Sequence, residues 1–243
     1  MDALTGVTLA DFAARLRDLG WVDALLVGGS LAAGDYRPGI SDLDLVAIVG
    51  GPITPVRRTA IAALHAEVEA GPARALKLGC TWVDMATLDD VAREHPTWTH
   101  GELYDRWLSQ MARVDLVRHG YSVFGPAPTE LLPPVDDEAV RSAVVAELDG
   151  YWTTVARRVH PWRHTWLVDL ALSTMSRADQ ALETGELISK ALAIERLPDL
   201  GVPDWLVAQV RARREGDDRP PARRLRQGLI ARRVTRSVTA ARR

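Results

Sequence analysis

The stretch of sequence that decides the fold is residues 28–49, which read GGSLAAGDYRPGISDLDLVAIV. Its first three residues, Gly28, Gly29 and Ser30, directly follow the apolar run 21–27, which predicts a short buried strand. Glycines allow a backbone to approach phosphate oxygens closely, and the N–H groups of such a turn, together with a serine hydroxyl, can bind them. The beginning of the stretch therefore predicts a phosphate-binding turn after the first strand.

Two carboxylates, Asp42 and Asp44, open the second predicted strand, residues 42–49. Side chains two positions apart on a strand project from the same face, so the two carboxylates would repel each other unless a cation neutralised them. A pair of Mg2+ ions is a common solution at sites where a phosphorus atom is attacked. An isolated Asp-x-Asp is often only a surface feature, but here it follows the glycine turn closely, which favours a functional pair.

Residues 28–49 resemble the signature of the polymerase-beta nucleotidyltransferase superfamily, a Gly-Ser turn followed by Asp-x-Asp. The resemblance implies nucleotide binding at the turn, Mg2+ on Asp42 and Asp44, and a third acidic residue from a neighbouring strand. We predict that Asp84, on a third strand spanning 80–87, supplies this carboxylate as a general base or as a shared metal ligand. The alternative is that this aspartate is a solvated residue at a strand end.

The hydropathy pattern predicts an α+β chain in two parts. We predict that residues 1–125 form a nucleotidyltransferase catalytic domain, as the resemblance implies, with a small mixed sheet and helices. The proline-rich stretch 126–134 is typical of an interdomain linker. Residues 135–243 predict a helical, substrate-binding bundle. The predicted helices are 8–19, 57–70, 103–118, 137–156, 165–183, 190–196, 203–214 and 222–240.

Two later segments resemble the aminoglycoside (streptomycin/spectinomycin) adenylyltransferases. They are residues 115–126, DLVRHGYSVFGP, and residues 183–198, which contain TGELISK and ERLP. The resemblance extends over about residues 20–215 and implies ATP as the co-substrate. The nucleotide-binding residues that it implies are Gly29, Ser30, Ser41 and Lys190. A lysine in the first turn of a helix opposes the helix dipole, which favours a functional reason for its presence there.

The same resemblance implies that a hydroxyl of an aminoglycoside or aminocyclitol attacks the α-phosphorus of ATP, takes AMP and releases pyrophosphate. We predict acceptor contacts at Glu102, Tyr104 and Asp169. The sequence departs from the family at Leu103, where the family has tryptophan, and at Asp84, where it has glutamate. The alternatives are a nucleotidyltransferase that modifies a protein side chain or an RNA end, and a binding protein that keeps only the fold.

Charge is distributed unevenly along the chain, whose formal net charge is −2. Residues 219–243 carry nine arginines and no acidic residue, so the preceding part is acidic. An acidic body attracts Mg2+ and a cationic small-molecule acceptor and repels nucleic acid, while the basic end predicts an amphipathic helix. The single cysteine, Cys80, excludes an intrachain disulfide. Without a signal peptide or a membrane-length apolar run, we expect a cytoplasmic monomer without membrane or nucleic-acid partners.

Overall fold

A six-stranded mixed sheet lies in the first of two compact units of the computed structural model, which describes residues 1–221 and 223–241. The units comprise Met1–Pro134 and Val135–Arg243. The strands are β1 (Val22–Val27), β2 (Leu43–Val49), β3 (Leu78–Asp84), β4 (Glu94–Thr99), β5 (Glu102–Trp107) and β6 (Tyr121–Phe124). Their order across the sheet is β5-β4-β3-β2-β1-β6, with β2 and β3 parallel and the other neighbours antiparallel.

Helices cover both faces of this sheet. They are α1 (Ala3–Asp18), α2 (Gly29–Ala32), α3 (Pro55–Glu69), α4 (Gln110–His119) and α5 (Pro128–Leu131). Successive strand residues point to opposite faces. Leu25 therefore packs in a core with Phe12 of α1 and Ile61 of α3, whereas its neighbour Leu26 packs in a second core with Leu116 of α4. β1 and β2 are largely apolar on both faces because both of their faces are buried.

The segment predicted as a helix over residues 103–118 contains a strand and a shorter helix instead. β5 pairs with β4 in a hairpin closed by His100 and Gly101, whose φ values of 54° and 81° fit a two-residue turn with left-handed backbone at both positions. Ser109 then caps α4 by accepting a backbone N–H of its first turn. The prediction was wrong because the sequence of the short, exposed β5 also fits the spacing of a helix. In addition, Pro96 makes β4 difficult to recognise as a strand from its sequence.

Helices form the second unit. They are α6 (Asp137–Glu147), α7 (Thr153–Arg157), α8 (Thr165–Thr184), α9 (Lys190–Glu195), α10 (Asp204–Arg214) and α11 (Arg224–Ala241). The helix predicted over 137–156 is divided by a π-helical turn, Leu148–Trp152, between α6 and α7. A side chain at Gly228 would overlap the backbone oxygen of Trp162, so α11 packs tightly against the turn that precedes α8.

The arginine-rich end of the chain forms α11, and its described arginines largely serve this unit. Val234 and Val238 are buried, whereas Leu225 and Leu229 are exposed, so the two leucines do not contribute to the buried face of this amphipathic helix. Three arginines donate hydrogen bonds to backbone oxygens: Arg224 to Arg163, Arg232 to Ala156, and Arg233 to Gly201. These guanidinium groups hold the helix to its own unit.

The proline-rich stretch 126–134 belongs to the first unit and is not a separate linker. It contains α5, and Leu132 is buried in the same core as Leu26. The second unit begins directly after Pro134. No helix within the described residues has the length and apolar character needed to cross a membrane.

Candidate functional site

The turn after β1 is built around the backbone and the carboxylate of Asp44. The N–H of Gly28 donates to the backbone oxygen of Asp44 over 3.0 Å, which fixes the end of β1 beside the start of β2. Gly29 has φ +58°, and a Cβ at this position would overlap the Asp44 carboxylate. Only glycine satisfies both conditions. Ser30 follows as the second residue of the short helix α2 and is half-buried.

An acidic residue that the sequence did not single out also contacts this turn. The Oδ2 atom of Asp115, on α4, accepts a hydrogen bond of 3.0 Å from the N–H of Gly29. Its Oδ1 atom lies 3.3 Å from Nδ1 of His119. The N–H of Gly29, one of the groups that the sequence predicts could bind phosphate oxygens, therefore has a protein partner. The residue falls within the recognised segment 115–126, but nothing in its local pattern indicated this contact over 86 residues.

Asp42 and Asp44 are both exposed and flank the buried Leu43, so their side chains lie on one face at the beginning of β2. Ser41 is buried, and its Oγ accepts a hydrogen bond from the N–H of Arg37. This serine shapes the loop that leads into the pair. No group of three or more acidic, histidine or cysteine side chains able to hold a metal occurs within the described residues. Two carboxylates still fit Mg2+, which completes its shell with water and phosphate oxygens.

The structure does not bring Asp84 together with this pair. β2 and β3 run parallel, with Asp44 beside Gly79 and Val49 beside Asp84. Five residues separate these two points, about 16 Å along the strand at the usual rise. Asp84 instead accepts a hydrogen bond from the N–H of Ala86 and caps a single helical turn. The prediction that Asp84 lies in one site with Asp42 and Asp44 is therefore corrected.

A cleft of about 450 Å3 opens beside Asp42, on the β3 side of β2. Its charged and aromatic lining residues are Asp42, Glu69, Arg74, Lys77, Trp98 and His100. They come from the end of α3, a 3-10 turn before β3, and the β4–β5 hairpin. The sequence offered no signal for this group, since its members become neighbours only when α3 and the hairpin fold onto the sheet.

One wall of the cleft is held by a buried aromatic network. Nε1 of Trp98 donates a 2.6 Å hydrogen bond to Oε1 of Glu69. His65 stacks on Trp98 with ring centroids 5.0 Å apart, and its Nε2 accepts from Nε1 of Trp82 over 3.1 Å. Burial lowers the pKa of His65 to about 3, so the ring is neutral and serves as an acceptor. The network fixes the position of the Glu69 carboxylate.

The predicted acceptor contacts lie on different parts of the chain. Glu102 and Tyr104 are both exposed on β5, two residues apart and therefore on one face. Asp169, on α8 in the second unit, forms a bidentate ion pair with Arg213 at 2.6 and 2.7 Å. Both carboxylate oxygens of Asp169 thus accept hydrogen bonds from a side chain of the same unit. Lys190 is the first residue of α9, directly after its cap Ser189.

The sheet, the glycine turn and the Asp-x-Asp strand define an α+β protein of the nucleotidyltransferase-like fold with a C-terminal helical unit, and the predicted fold class is confirmed. Among solved structures, the chain is similar to the spectinomycin adenyltransferase AAD(9) from Enterococcus faecialis, solved with ATP and spectinomycin. The TM-score is 0.69 at 14% identity, over 94% of this chain and 97% of that one. No family model and no curated protein matches the sequence.

Proposed function

We propose that this protein transfers AMP from ATP to a hydroxyl group of a small molecule and releases pyrophosphate. The observation that carries the proposal is the position of the carboxylate pair between two features. Asp44 contacts the glycine turn on the β1 side, and Asp42 lines the cleft on the β3 side. The two features would supply the nucleotide and the acceptor to a reaction at phosphorus, in which the attacking and leaving oxygens lie on opposite sides of the phosphorus atom.

The turn and α2 supply the nucleotide side of the proposed site. The Ser30 hydroxyl and the backbone around it would contact the triphosphate, and Lys190 is assigned to the phosphates by the resemblance in residues 183–198. Mg2+ on Asp42 and Asp44 would neutralise charge on the transferred phosphoryl group. The Asp115 carboxylate beside the turn keeps Gly29 in place through its N–H.

The cleft supplies the acceptor side. The hydroxyl oxygen forms a bond to the α-phosphorus, the bond from that phosphorus to the pyrophosphate oxygen breaks, and the hydroxyl proton leaves. Glu69 is the carboxylate that shares the cleft with Asp42, and we assign it as the acceptor of this proton in place of Asp84. Its hydrogen bond from Trp98 holds Oε1, and Oε2 would accept the proton.

Aminoglycosides and aminocyclitols are the first acceptors to test, because residues 183–198 resemble the enzymes that modify them and the fold matches a spectinomycin adenyltransferase. A macromolecular acceptor has less support. The three α11 arginines that bind backbone oxygens are engaged within their own unit and do not form an open phosphate-binding surface.

The decisive experiment is mass spectrometry of the products after incubation with ATP, Mg2+ and a pooled library of hydroxylated compounds that includes aminoglycosides. The expected result is a mass gain of one AMP on one acceptor together with release of pyrophosphate. Asp44→Asn should abolish the product and Glu69→Gln should slow its formation. If the wild-type protein neither binds ATP with Mg2+ nor releases pyrophosphate with any acceptor, the proposal is wrong.

A further inference from the structure

Two cations line the cleft next to the carboxylate pair. Lys77 immediately precedes Leu78, which pairs with Leu43, so Lys77 lies beside Asp42 where β2 and β3 begin. Its Nζ donates to the backbone oxygen of Ile40 over 3.1 Å, which holds the ammonium group at this edge of the sheet. Arg74 lies one turn earlier and lines the same cleft.

The backbone at Lys77 is left-handed, which ends the preceding 3-10 turn and places this residue at the cleft. Lys77 has φ 50° and His100 has φ 54°, and within residues 1–221 and 223–241 these are the two non-glycine residues with positive φ. Both line the cleft. The hairpin turn accounts for His100, and Lys77 ends the 3-10 turn Pro72–Leu76 in the left-handed conformation that is common at helix ends. Both conformations are therefore set by local structure, and they place the two residues at the cleft.

Arg74 and Lys77 share the cleft with two carboxylates, Asp42 and Glu69, without forming an ion pair with either. Across the described parts of the chain, no carboxylate forms an ion pair with Arg74 or Lys77. Of the two carboxylates in the cleft, Glu69 accepts the hydrogen bond of Trp98, and Asp42 is committed to Mg2+ in the proposed reaction. Two neighbouring cations attract an anion, and an oxyanion can bind the guanidinium and the ammonium together.

We propose that the cleft binds a hydroxylated acceptor that carries an oxyanion, a phosphate or a carboxylate, held by Arg74 and Lys77. The inference rests on the proposed nucleotidyl transfer and names the substrate class of the same site. The oxyanion is unchanged in the reaction, since only the hydroxyl oxygen forms the new bond to phosphorus. Arg74 and Lys77 thus favour an acceptor with an anionic group, in contrast to the cationic acceptor that the acidic body of the chain indicates.

Oxyanion binding at Lys77 can be tested directly because the chain contains few lysines. Lys77 and Lys190 are its two lysines. Reductive 13C-methylation keeps their positive charge and gives two lysine methyl signals, of which the Lys77 signal is identified by its loss in Lys77→Arg. The full-length protein is titrated with three compounds that share a hexose ring and differ in charge, which are glucose 6-phosphate, glucose and glucosamine. Glucuronate, as a fourth probe, separates a carboxylate from a phosphate.

The expected result is a saturable shift of the Lys77 signal with glucose 6-phosphate, with glucuronate or with both, and none with glucose or glucosamine. Lys77→Asn removes the charge but tolerates the backbone conformation, and Arg74→Gln removes the second cation. Each should weaken oxyanion binding about tenfold, as expected for the loss of one charge-assisted hydrogen bond. Arg93→Gln, an exposed arginine outside the cleft, should leave the affinity unchanged.

The result separates this inference from the proposed function. ATP binding with Mg2+ is measured in the same samples, and it should survive in Lys77→Asn and Arg74→Gln. If ATP binds and AMP is transferred, but the Lys77 signal responds to glucosamine or to no oxyanion, the inference is overturned and nucleotidyl transfer stands. If oxyanions shift Lys77 but ATP does not bind, the cleft is an anion site and the proposed reaction is wrong.

Discussion

Gly29 and Asp44 are packed together so closely that residue 29 has no room for a side chain. The contact joins the turn after β1 to the carboxylate at the start of β2, and the N–H of Gly28 fixes the same junction through the Asp44 backbone oxygen. The backbone that we propose to bind the nucleotide and the carboxylate that we propose to bind Mg2+ are thus set relative to each other by direct contact. Any shift of one must displace the other.

The first prediction concerns Gly29→Ala. The new methyl group must displace the Asp44 carboxylate, and the left-handed backbone adds a cost of about 1–2 kcal/mol. We expect at least a hundredfold loss of AMP transfer, because a displacement of about 1 Å can cost this much. The measurement is steady-state pyrophosphate release together with urea unfolding.

Gly20→Ala is the matched control for this prediction. Gly20 has φ +72° but open space around its Cβ position, so the variant carries the backbone cost without the overlap. It should lose stability by a similar amount and keep its activity. Equal loss of activity in the two variants would show that the carboxylate contact has no role.

A second prediction compares three aspartates. Asp42→Asn and Asp44→Asn should each lower AMP transfer about a thousandfold, because charge stabilisation by a bound metal is worth several kcal/mol. Asp84→Asn should retain activity, since Asp84 lies five residues further along the sheet and an amide oxygen can still accept the Ala86 N–H. If Asp84→Asn loses activity at unchanged stability, Asp84 is the third catalytic carboxylate, as predicted from the sequence. The measurement is the rate of pyrophosphate release at saturating ATP.

The difference between Asp44 and Asp84 shows what the sequence can predict here. The glycine turn and the Asp-x-Asp pair are close in sequence, and the strands that carry them are recognisable as apolar runs. Their relation follows from local spacing and the alternation of side chains along a strand. The place of Asp84 depends on the register between β2 and β3, which long-range packing determines, so its identity as a strand residue did not reveal its distance from the pair.

The residues that line the cleft could not be predicted from the sequence for a related reason. Glu69, Arg74 and Trp98 lie on α3, a short turn and a hairpin strand, and they share no spacing that a pattern could show. The sequence predicts a helix over residues 103–118, which contain most of β5, because this strand is short and exposed and forms by pairing with β4. Asp115 likewise reaches Gly29 from 86 residues away.

A third prediction assigns Asp169 to stability and not to acceptor binding. Burial raises the pKa of Asp169, and its hydrogen bonds and charge pairing with Arg213 oppose this effect. The side chains of Asp169 and Arg213 are 28% and 14% exposed. Asp169→Asn should lower the free energy of unfolding by roughly 2 kcal/mol, because it leaves a largely buried guanidinium without its charged partner. The measurement is urea unfolding.

The control for Asp169 is the exposed bidentate pair between Glu195 and Arg211, whose side chains are 58% and 44% exposed. Glu195→Gln should change the free energy of unfolding by less than about 1 kcal/mol, as for most surface ion pairs. A rise in the acceptor KM of Asp169→Asn at unchanged stability would contradict the assignment and return this residue to the acceptor site.

The last prediction is a loss of stability in acid that originates at His65. Burial holds its pKa near 3 in the folded state, whereas an unfolded histidine titrates near 6.5. Between these values only the unfolded chain binds the proton, so the free energy of unfolding falls as pH decreases, by up to about 1.4 kcal/mol per pH unit.

His65→Gln removes this titration and keeps an oxygen that can accept the Trp82 N–H. Urea unfolding at pH 7 and at pH 5 should therefore show a smaller difference in the variant than in the wild-type protein. A remaining slope is expected from His95, whose pKa is also lowered, by burial and by the nearby Arg113. If the two proteins lose stability equally between pH 7 and pH 5, His65 is not the neutral, hydrogen-bonded support of Trp98, and the wall of the cleft is held by the Glu69–Trp98 hydrogen bond alone.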